Sequence, residues 1–308
     1  MERSSSSSYV PHDLLEDILI RLPAKSIIRF KCVKKSWYTL LQNPTFIAKH
    51  HSFQSQNNPN LLVQSESENL TLPTITLFQN PSFMSLHPHS HNDGFDSEVS
   101  LGMPIFRDKW KTFMNPNLCA CINGIICLHE DNYPGRIVLL NPAIRQCKYI
   151  CLPKLPSSPA RGLFAFGYDQ NSNDYKVVRI VSYNSHSIRG GNIDKIPHPV
   201  IQVYTLSTDS FREIDTPNFD RSNVYSLEHS NEIYVNGVHY WRGMFKDERR
   251  RTCEGIVSFD MRDEMFRTTK MPDLGDYISH RKTLSVVNNC LALIIYDMQH
   301  KEKIFDIW

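Results

Sequence analysis

Three segments of the chain superimpose without a gap: NPAIRQCKYICLP from Asn141 to Pro153, TLSTDSFREIDTP from Thr205 to Pro217, and DMRDEMFRTTKMP from Asp260 to Pro272. In each, an apolar residue stands at the same place (Cys147, Phe211, Phe266), a base follows it (Lys148, Arg212, Arg267), and a proline closes the segment. An apolar run leads into every copy, over Ile137 to Leu140, Val200 to Tyr204 and Ile256 to Phe259. A polar turn between two runs of period two describes a β-hairpin. One hairpin cannot bury its own apolar face, so a chain that repeats it must stack the copies. Beyond residue 115 the period of the chain is two rather than helical, with aromatic and β-branched runs separated by turn residues.

A second kind of hairpin alternates with the first. Asn123-Gly124 separates Cys119 to Ile122 from Ile125 to Leu128, and Asn236-Gly237 separates Ile233 to Val235 from Val238 to Trp241. Asn-Gly is the strongest short hairpin signal. A longer turn from Asp169 to Asp174 joins Phe164-Ala-Phe166 to Tyr175 to Val178, and Asn288-Asn289 precedes Leu291 to Tyr296. With only 12 glycines against 22 asparagines, the turns that need positive φ fall to asparagine. The combined unit is four strands, recurring roughly every 50 to 65 residues, the size of a kelch-like propeller blade. Three such units are well marked, and a fourth begins at Leu284 and runs into KIFDIW at Trp308. Either a strand from residues 61–78 completes the ring, or the propeller is incomplete and the chain shortened.

The first fifty residues have a different period. After a serine run (Ser4 to Ser8) read as a disordered tail over residues 1–9, Leu14, Leu15, Ile18, Leu19 and Leu22 fall on one helical stripe, with Asp13, Glu16 and Asp17 where carboxylates favour a helix N-terminus. Pro23 ends that helix. A second carries Ile27, Ile28, Phe30, Cys32 and Val33, and a third Trp37, Leu40 and Leu41 before Asn43-Pro44 breaks it. Three short helices cannot bury this much apolar surface among themselves, so part of it meets a partner or the next domain. The bases Arg21, Lys25, Arg29, Lys31, Lys34 and Lys35, with no acid among them, read as a solvated face, the alternative being a strip that steers an acidic adaptor or contacts phosphate.

Over residues 10–50 the sequence resembles the F-box, through Pro11, Asp13, Leu14, Leu15, Ile18, Leu19, Leu22, Pro23, Lys25, Arg29, Val33 and Trp37; Val10 stands where that family often has leucine. The resemblance implies docking to a Skp-type adaptor and, through it, to a cullin and a ubiquitin-transfer machine. The implied adaptor surface is Pro11, Leu14, Ile18, Leu19, Leu22, Pro23, Val33 and Trp37. Phe166-Gly-Tyr-Asp169, Asp174 to Arg179 and Asn236 to Trp241 further resemble the F-box-associated domain of plant F-box proteins. LPAKSIIRFKCVKKSW and the blade phrases are similar to the S-locus F-box group, whose C-terminal domain recognises a target such as a pistil ribonuclease. The expected fold class is α+β multidomain: a small N-terminal helical F-box, a lead-in segment with a loop over 51–110, and an all-β, propeller-like domain over 111–308, possibly incomplete.

The same residues offer little for bond chemistry. There is no G-x-S-x-G, Gly-rich phosphate loop, H-E-x-x-H or RING-like cysteine spacing. His87, His89 and His91 lie in a polar loop that preorganises no metal site, and no cofactor is expected. Cys119 and Cys121 share one side of a strand, and the eight cysteines read as reduced, mostly buried thiols. A net charge of +2 and the lack of a long apolar run point to no nucleic acid, no membrane, and a cytoplasmic or nuclear location. Target contacts are expected in rim loops: Lys246 to Arg251, with Arg249, Arg250 and Arg251, and Ser182 to His198, with Arg189. The expected function is that of a non-catalytic substrate receptor; the alternative is a kelch-like interaction scaffold uncoupled from ubiquitination.

Overall fold

The structure is a computed structural model, and it describes residues 11–57, 60–65, 74–79, 98–100, 116–130, 135–144, 146–155, 161–182, 200–215, 224–227, 232–246, 249, 251–271, 281–296 and 305–307. The chain divides into two compact units: Met1–Leu118 with Asn123–Ile125 and Leu140–Lys148, and Cys119–Ile122 with Ile126–Leu139 and Tyr149–Trp308.

The first unit opens with helices α1 (His12–Ile20), α2 (Ala24–Phe30), α3 (Lys35–Gln42) and α4 (Pro44–Asn57). The fourth corrects the reading of Asn43-Pro44 as a stop. Asn43 Oδ1 accepts the Thr45 N–H at 2.8 Å, and proline suits a first helical position, so the same dipeptide that ends α3 starts α4. The helical region therefore runs past residue 50 into the expected lead-in segment. Leu19, Ile27, Leu41 and Phe46 form its core, flanked by Leu15, Ile20, Leu22, Phe30, Trp37 and Leu40. The carbonyls at the end of α1, unsatisfied within a helix, are met by α4: Gln54 Nε2 donates to Ile20 O at 3.1 Å, and His50 Nε2 lies 2.8 Å from Leu22 O. Lys49 and Glu16 add an ion pair at 2.8 Å.

Strands β1 (Asn60–Ser65), β2 (Thr74–Gln79) and β3 (Glu98–Ser100) form a sheet in that order. Strands β1 and β2, which lie in the segment expected to complete the ring, pair with each other. Strands β4 (Pro116–Ile122), β5 (Ile125–Glu130), β6 (Arg136–Asn141) and β7 (Gln146–Cys151) follow in one sheet, in sequence order. The next sheet runs β11 (Ser210–Glu213), β10 (Val200–Thr205), β9 (Asp174–Ser182), β8 (Arg161–Asp169). In the fourth, β12 (Val224–Leu227) and β13 (Ile233–Val235) both pair with β14 (Val238–Lys246), which continues to β15 (Thr252–Asp260) and β16 (Met265–Lys270). The last comprises β17 (Arg281–Val287), β18 (Cys290–Tyr296) and β19 (Phe305–Ile307).

The threefold repeat is the outer hairpin of a sheet in each copy. Tyr204 pairs with Phe211 and Phe259 with Phe266, so the repeated apolar position is a cross-strand partner of the strand before it. Asparagine leads the two-residue turns as expected: Asn123 and Gly124 (φ 51° and 76°), Asn236 and Gly237 (51° and 84°), Asn288 and Asn289 (50° and 59°) are left-handed pairs of the type I′ kind. The four-residue turns end on one left-handed residue: Asn173, Asp209 and Glu264. Cysteine burial departs from expectation, since only Cys119 and Cys127 are buried while Cys32, Cys121, Cys151 and Cys290 are exposed. Cys121 keeps the parity of Cys119 but sits beside the Asn123 turn, where apolar cover ends. For buried Cys119, the hydrogen bond with Cys127 and burial together push the thiol pKa well up, so this thiol lacks the character of a nucleophile.

In the second unit one core joins two sheets: Ala165, Val178, Ile180, Ile201 and Val203 with Trp241, Val257, Phe259, Met261 and Phe266. Trp241 is fully buried, and its indole Nε1–H donates to Glu232 at 3.2 Å. Met261 fills the space over Gly167, where an added Cβ would come within 2.4 Å of its side chain. Beside it, buried Lys176 Nζ reaches Asp169 at 2.9 Å, Glu264 at 2.9 Å and Met261 O at 2.7 Å.

Candidate functional site

The helices present an apolar surface that their own core does not absorb. Leu14 (52% exposed) and Ile18 (46%) stand one turn apart on α1, where residues four apart share a face. Val33 is 62% exposed and Pro11 and Pro23 are also exposed. Ile28 on α2, Tyr38 on α3 and Ile47 on α4 are exposed as well. None of these last three is in the docking set implied by the sequence: Ile28 is read on the second helix but not assigned to the surface, Tyr38 lies inside the third helical period, and Ile47 lies in the unrecognised helix.

Other members of the implied docking set sit deeper. Leu19 is only 1% exposed and belongs to the core, while Leu22 and Trp37 are half-buried against it. Trp37 packs edge-on against Phe30, with ring centroids 5.7 Å apart at 71°. Leu19 and Trp37 therefore support the exposed residues from beneath. Arg21, Lys25, Arg29, Lys34 and Lys35 are exposed and Lys31 is half-buried, close to the solvated face expected, with Arg21 over the Phe53 ring at 5.4 Å.

The sheets of the second unit present two unlike edges. One collects the short turns after β8, β10, β13, β15 and β17, with Asn236 Nδ2 donating to Asn289 O at 2.7 Å and the Lys176–Glu264 pair bridging neighbouring sheets there. The other is where β9 gives way to β10, β14 to β15, β16 to β17 and β18 to β19. Arg249 and Arg251 lie on this second edge and are exposed. Arg250 and Arg189 lie outside the described residues, as do His87, His89 and His91.

At the turn edge, the Lys176 cluster is structural in geometry. Burial opposes the charge on Asp169, but hydrogen bonds from Lys176, Ser172 and the Asn171 N–H outweigh it and hold the carboxyl at about 2. Burial likewise opposes the Lys176 charge, and its bonds to Asp169 and Glu264 raise its pKa above the ordinary lysine value. Glu264 also pairs with exposed Arg212. No group of His, Cys, Asp or Glu among the described residues is arranged to hold a metal ion. No helix among them is long and apolar enough to cross a membrane.

Comparison with known proteins places both regions. The F-box domain family matches residues 8–49, and the F-box associated beta propeller domain family matches residues 80–308. An Arabidopsis thaliana F-box/kelch-repeat protein is 25% identical over 309 residues, covering 96% of this chain and 76% of its own length. An Arabidopsis F-box protein is 28% identical over 318 residues, covering 97% of this chain and 71% of its own. A further Arabidopsis relative is 31% identical over 269 residues, and the chain spans 57% of it. Among solved structures, an endo-arabinase from Bacteroides thetaiotaomicron is similar at a TM-score of 0.36 and 10% identity, covering 82% of this chain and 89% of that one, a likeness too distant to carry inference.

Proposed function

The chain belongs to the F-box associated beta propeller domain family and carries an F-box ahead of that domain, and from this premise we propose that it is the substrate-recognition subunit of an SCF-type (Skp-cullin-F-box) E3 ubiquitin ligase. The observation that carries the reading is the pairing, in one chain, of an F-box that holds Leu14 and Ile18 on α1 and Val33 in the α2–α3 turn out to solvent with a separate set of antiparallel sheets. An apolar helical patch is the composition of a stable protein interface rather than of a free surface. In this reading Pro11, Leu14, Ile18, Pro23 and Val33 contact a Skp-type adaptor, supported by Leu19, Leu22 and Trp37, and the sheet edge holds a protein target. The subunit does no bond chemistry itself: it raises the effective concentration of target lysines near the transferred ubiquitin.

Adaptor and cullin should co-purify with the full chain from cell extract, and Leu14→Ala with Ile18→Ala should remove most of that recovery. Undiminished recovery by the double variant would leave the scaffold reading, in which the helices merely cap the β-domain and deleting residues 1–50 unfolds it. The S-locus resemblance names one class of target, a pistil ribonuclease, and direct titration with such a ribonuclease tests it apart from adaptor binding.

A further inference from the structure

We propose that Thr252 is a phosphorylation site, modified by a protein kinase that reads basic residues ahead of its target hydroxyl. Arg249, Arg250 and Arg251 are the only three consecutive bases in the sequence, and Thr252 follows them directly. Thr252 is exposed, as are Arg249 and Arg251. The acids Asp247 and Glu248 stand further from the hydroxyl than the arginines do. A kinase that selects substrates by charge carries a cleft of the complementary sign, and bases one to three places before the acceptor are what an acidic cleft holds. The inference goes beyond the receptor reading and does not depend on it.

Backbone geometry separates Thr252 from the other hydroxyls that follow bases. It is the first residue of β15, and its pairing with Lys246 is the last rung of the β14–β15 ladder before the connecting residues 247–251. A terminal rung opens at little cost, and the strand beyond it is already extended, the form in which a peptide enters a kinase cleft. The opening stops close by, because Glu254 is tied to Lys282 Nζ at 2.5 Å and lies 3.6 Å from Arg242 Nε, and its carbonyl accepts the Met271 N–H at 3.2 Å. Ser36 follows Lys34 and Lys35 and is exposed, but it lies in the first turn of α3, which would have to unwind. Thr283 follows Arg281 and Lys282, but it is half-buried within β17 and paired with Ile294.

In the transfer, Thr252 Oγ1 attacks the γ-phosphorus of ATP and its proton passes to a carboxylate of the kinase. The bond from that phosphorus to the bridging oxygen breaks, and ADP leaves. The phosphothreonine carries about −1.5 to −2 charge at neutral pH. Lys246 to Arg251 holds four bases and two acids, so the phosphate takes this connection from net basic to near neutral. The modification is thus a local charge switch that leaves the buried core as it is.

The full-length protein incubated with ATP and the purified catalytic subunit of cyclic-AMP-dependent protein kinase, a base-directed kinase, tests this. Tandem mass spectrometry should find phosphate on Thr252 of protein kept folded throughout the reaction. Thr252→Val should lose that phosphopeptide, and Arg249→Ala with Arg250→Ala should slow incorporation roughly tenfold or more, with circular dichroism melts like that of wild type. An acid-directed kinase of the casein kinase type should leave Thr252 unmodified. No phosphate on Thr252 of the folded protein, incorporation there only after heat unfolding, an unchanged rate in the double-arginine variant, or equal modification by the acid-directed kinase would overturn the proposal. Adaptor recovery reports on the receptor reading separately, because no step of the phosphate transfer uses α1 to α4.

Discussion

The helices and the sheets solve the problem of apolar surface in opposite ways. In α1 to α4, Leu14, Ile18, Ile28, Val33, Tyr38 and Ile47 stay exposed around a core built on Leu19, Ile27, Leu41 and Phe46. In the sheets, Trp241, Tyr204, Phe166, Phe259 and Phe266 are fully buried, and Met244, Met265 and Val286 are the exposed large apolar side chains among the described residues there. A helix can offer one face to its own core and the next to a partner, whereas a strand stacked between neighbouring sheets has both faces covered. In the proposed reading the exposed helical face is the one that another protein's apolar surface completes.

Mutations in the two cores should differ in reach, which is the largest effect to test. Trp241→Ala removes a side chain packed by two sheets and leaves Glu232 without its indole donor; a loss of about 3–5 kcal/mol is expected from denaturant titration of the full chain. Leu19→Ala should cost about 2–4 kcal/mol, read in helical circular dichroism, because its core has few other buried members to share the cavity. A Trp241→Ala loss below that of Leu19→Ala would break the contrast between a deep and a shallow core.

Much of this contrast is legible in the sequence, for identifiable reasons. The hairpin repeat predicts β6–β7, β10–β11 and β15–β16 because turn residues and period two are local signals. Asn123, Asn236 and Asn288 announce their turns because few other residues accept positive φ. What escapes local reading is what depends on distant partners. α4 is hidden because Asn43-Pro44 serves as both stop and start, and the helix draws its place from His50 and Gln54 reaching back to α1. β12 is hidden because its polar surroundings give no period and its pairing comes from β14. Lys270 and Arg281 reach the same edge as Arg251 only through strand pairing, which no local signal announces. Glu264 shows the same limit: it takes a left-handed φ of 54° where asparagine would be expected, and Lys176, far off in sequence, is what its side chain reaches.

The polar join within the sheets should show itself in acid, with a smaller effect. The Asp169 carboxyl is held at about 2 against an ordinary 3.8. A depressed carboxylate contributes stability that is present above the unfolded value and lost as pH falls through the folded one. Unfolding free energies from urea titration between pH 5 and pH 2 should therefore fall by roughly 1–2 kcal/mol more in wild type than in Asp169→Asn. Lys176, raised above the ordinary 10.5, contributes with the opposite sense: its share is full below that value and lost as pH rises through the raised one. Equal acid sensitivity of the two proteins would show that Asp169 and Lys176 are not what couples β8–β11 to β15–β16.

The smallest stability effect separates the two regions most cleanly. Leu14 and Ile18 are about half exposed and fill no cavity, so replacing both with alanine should change unfolding free energy by less than about 0.5 kcal/mol. The same double variant is expected to lose most adaptor recovery, because an exposed apolar pair pays its energetic return only when a partner excludes water from it. Placed beside Leu19→Ala, which removes core support, it distinguishes a surface kept for a partner from one that is part of the fold. A fall in stability from the double variant as large as that of Leu19→Ala would mean that Leu14 and Ile18 are covered within the chain in solution, and the apolar face of α1 would then belong to the protein's own packing.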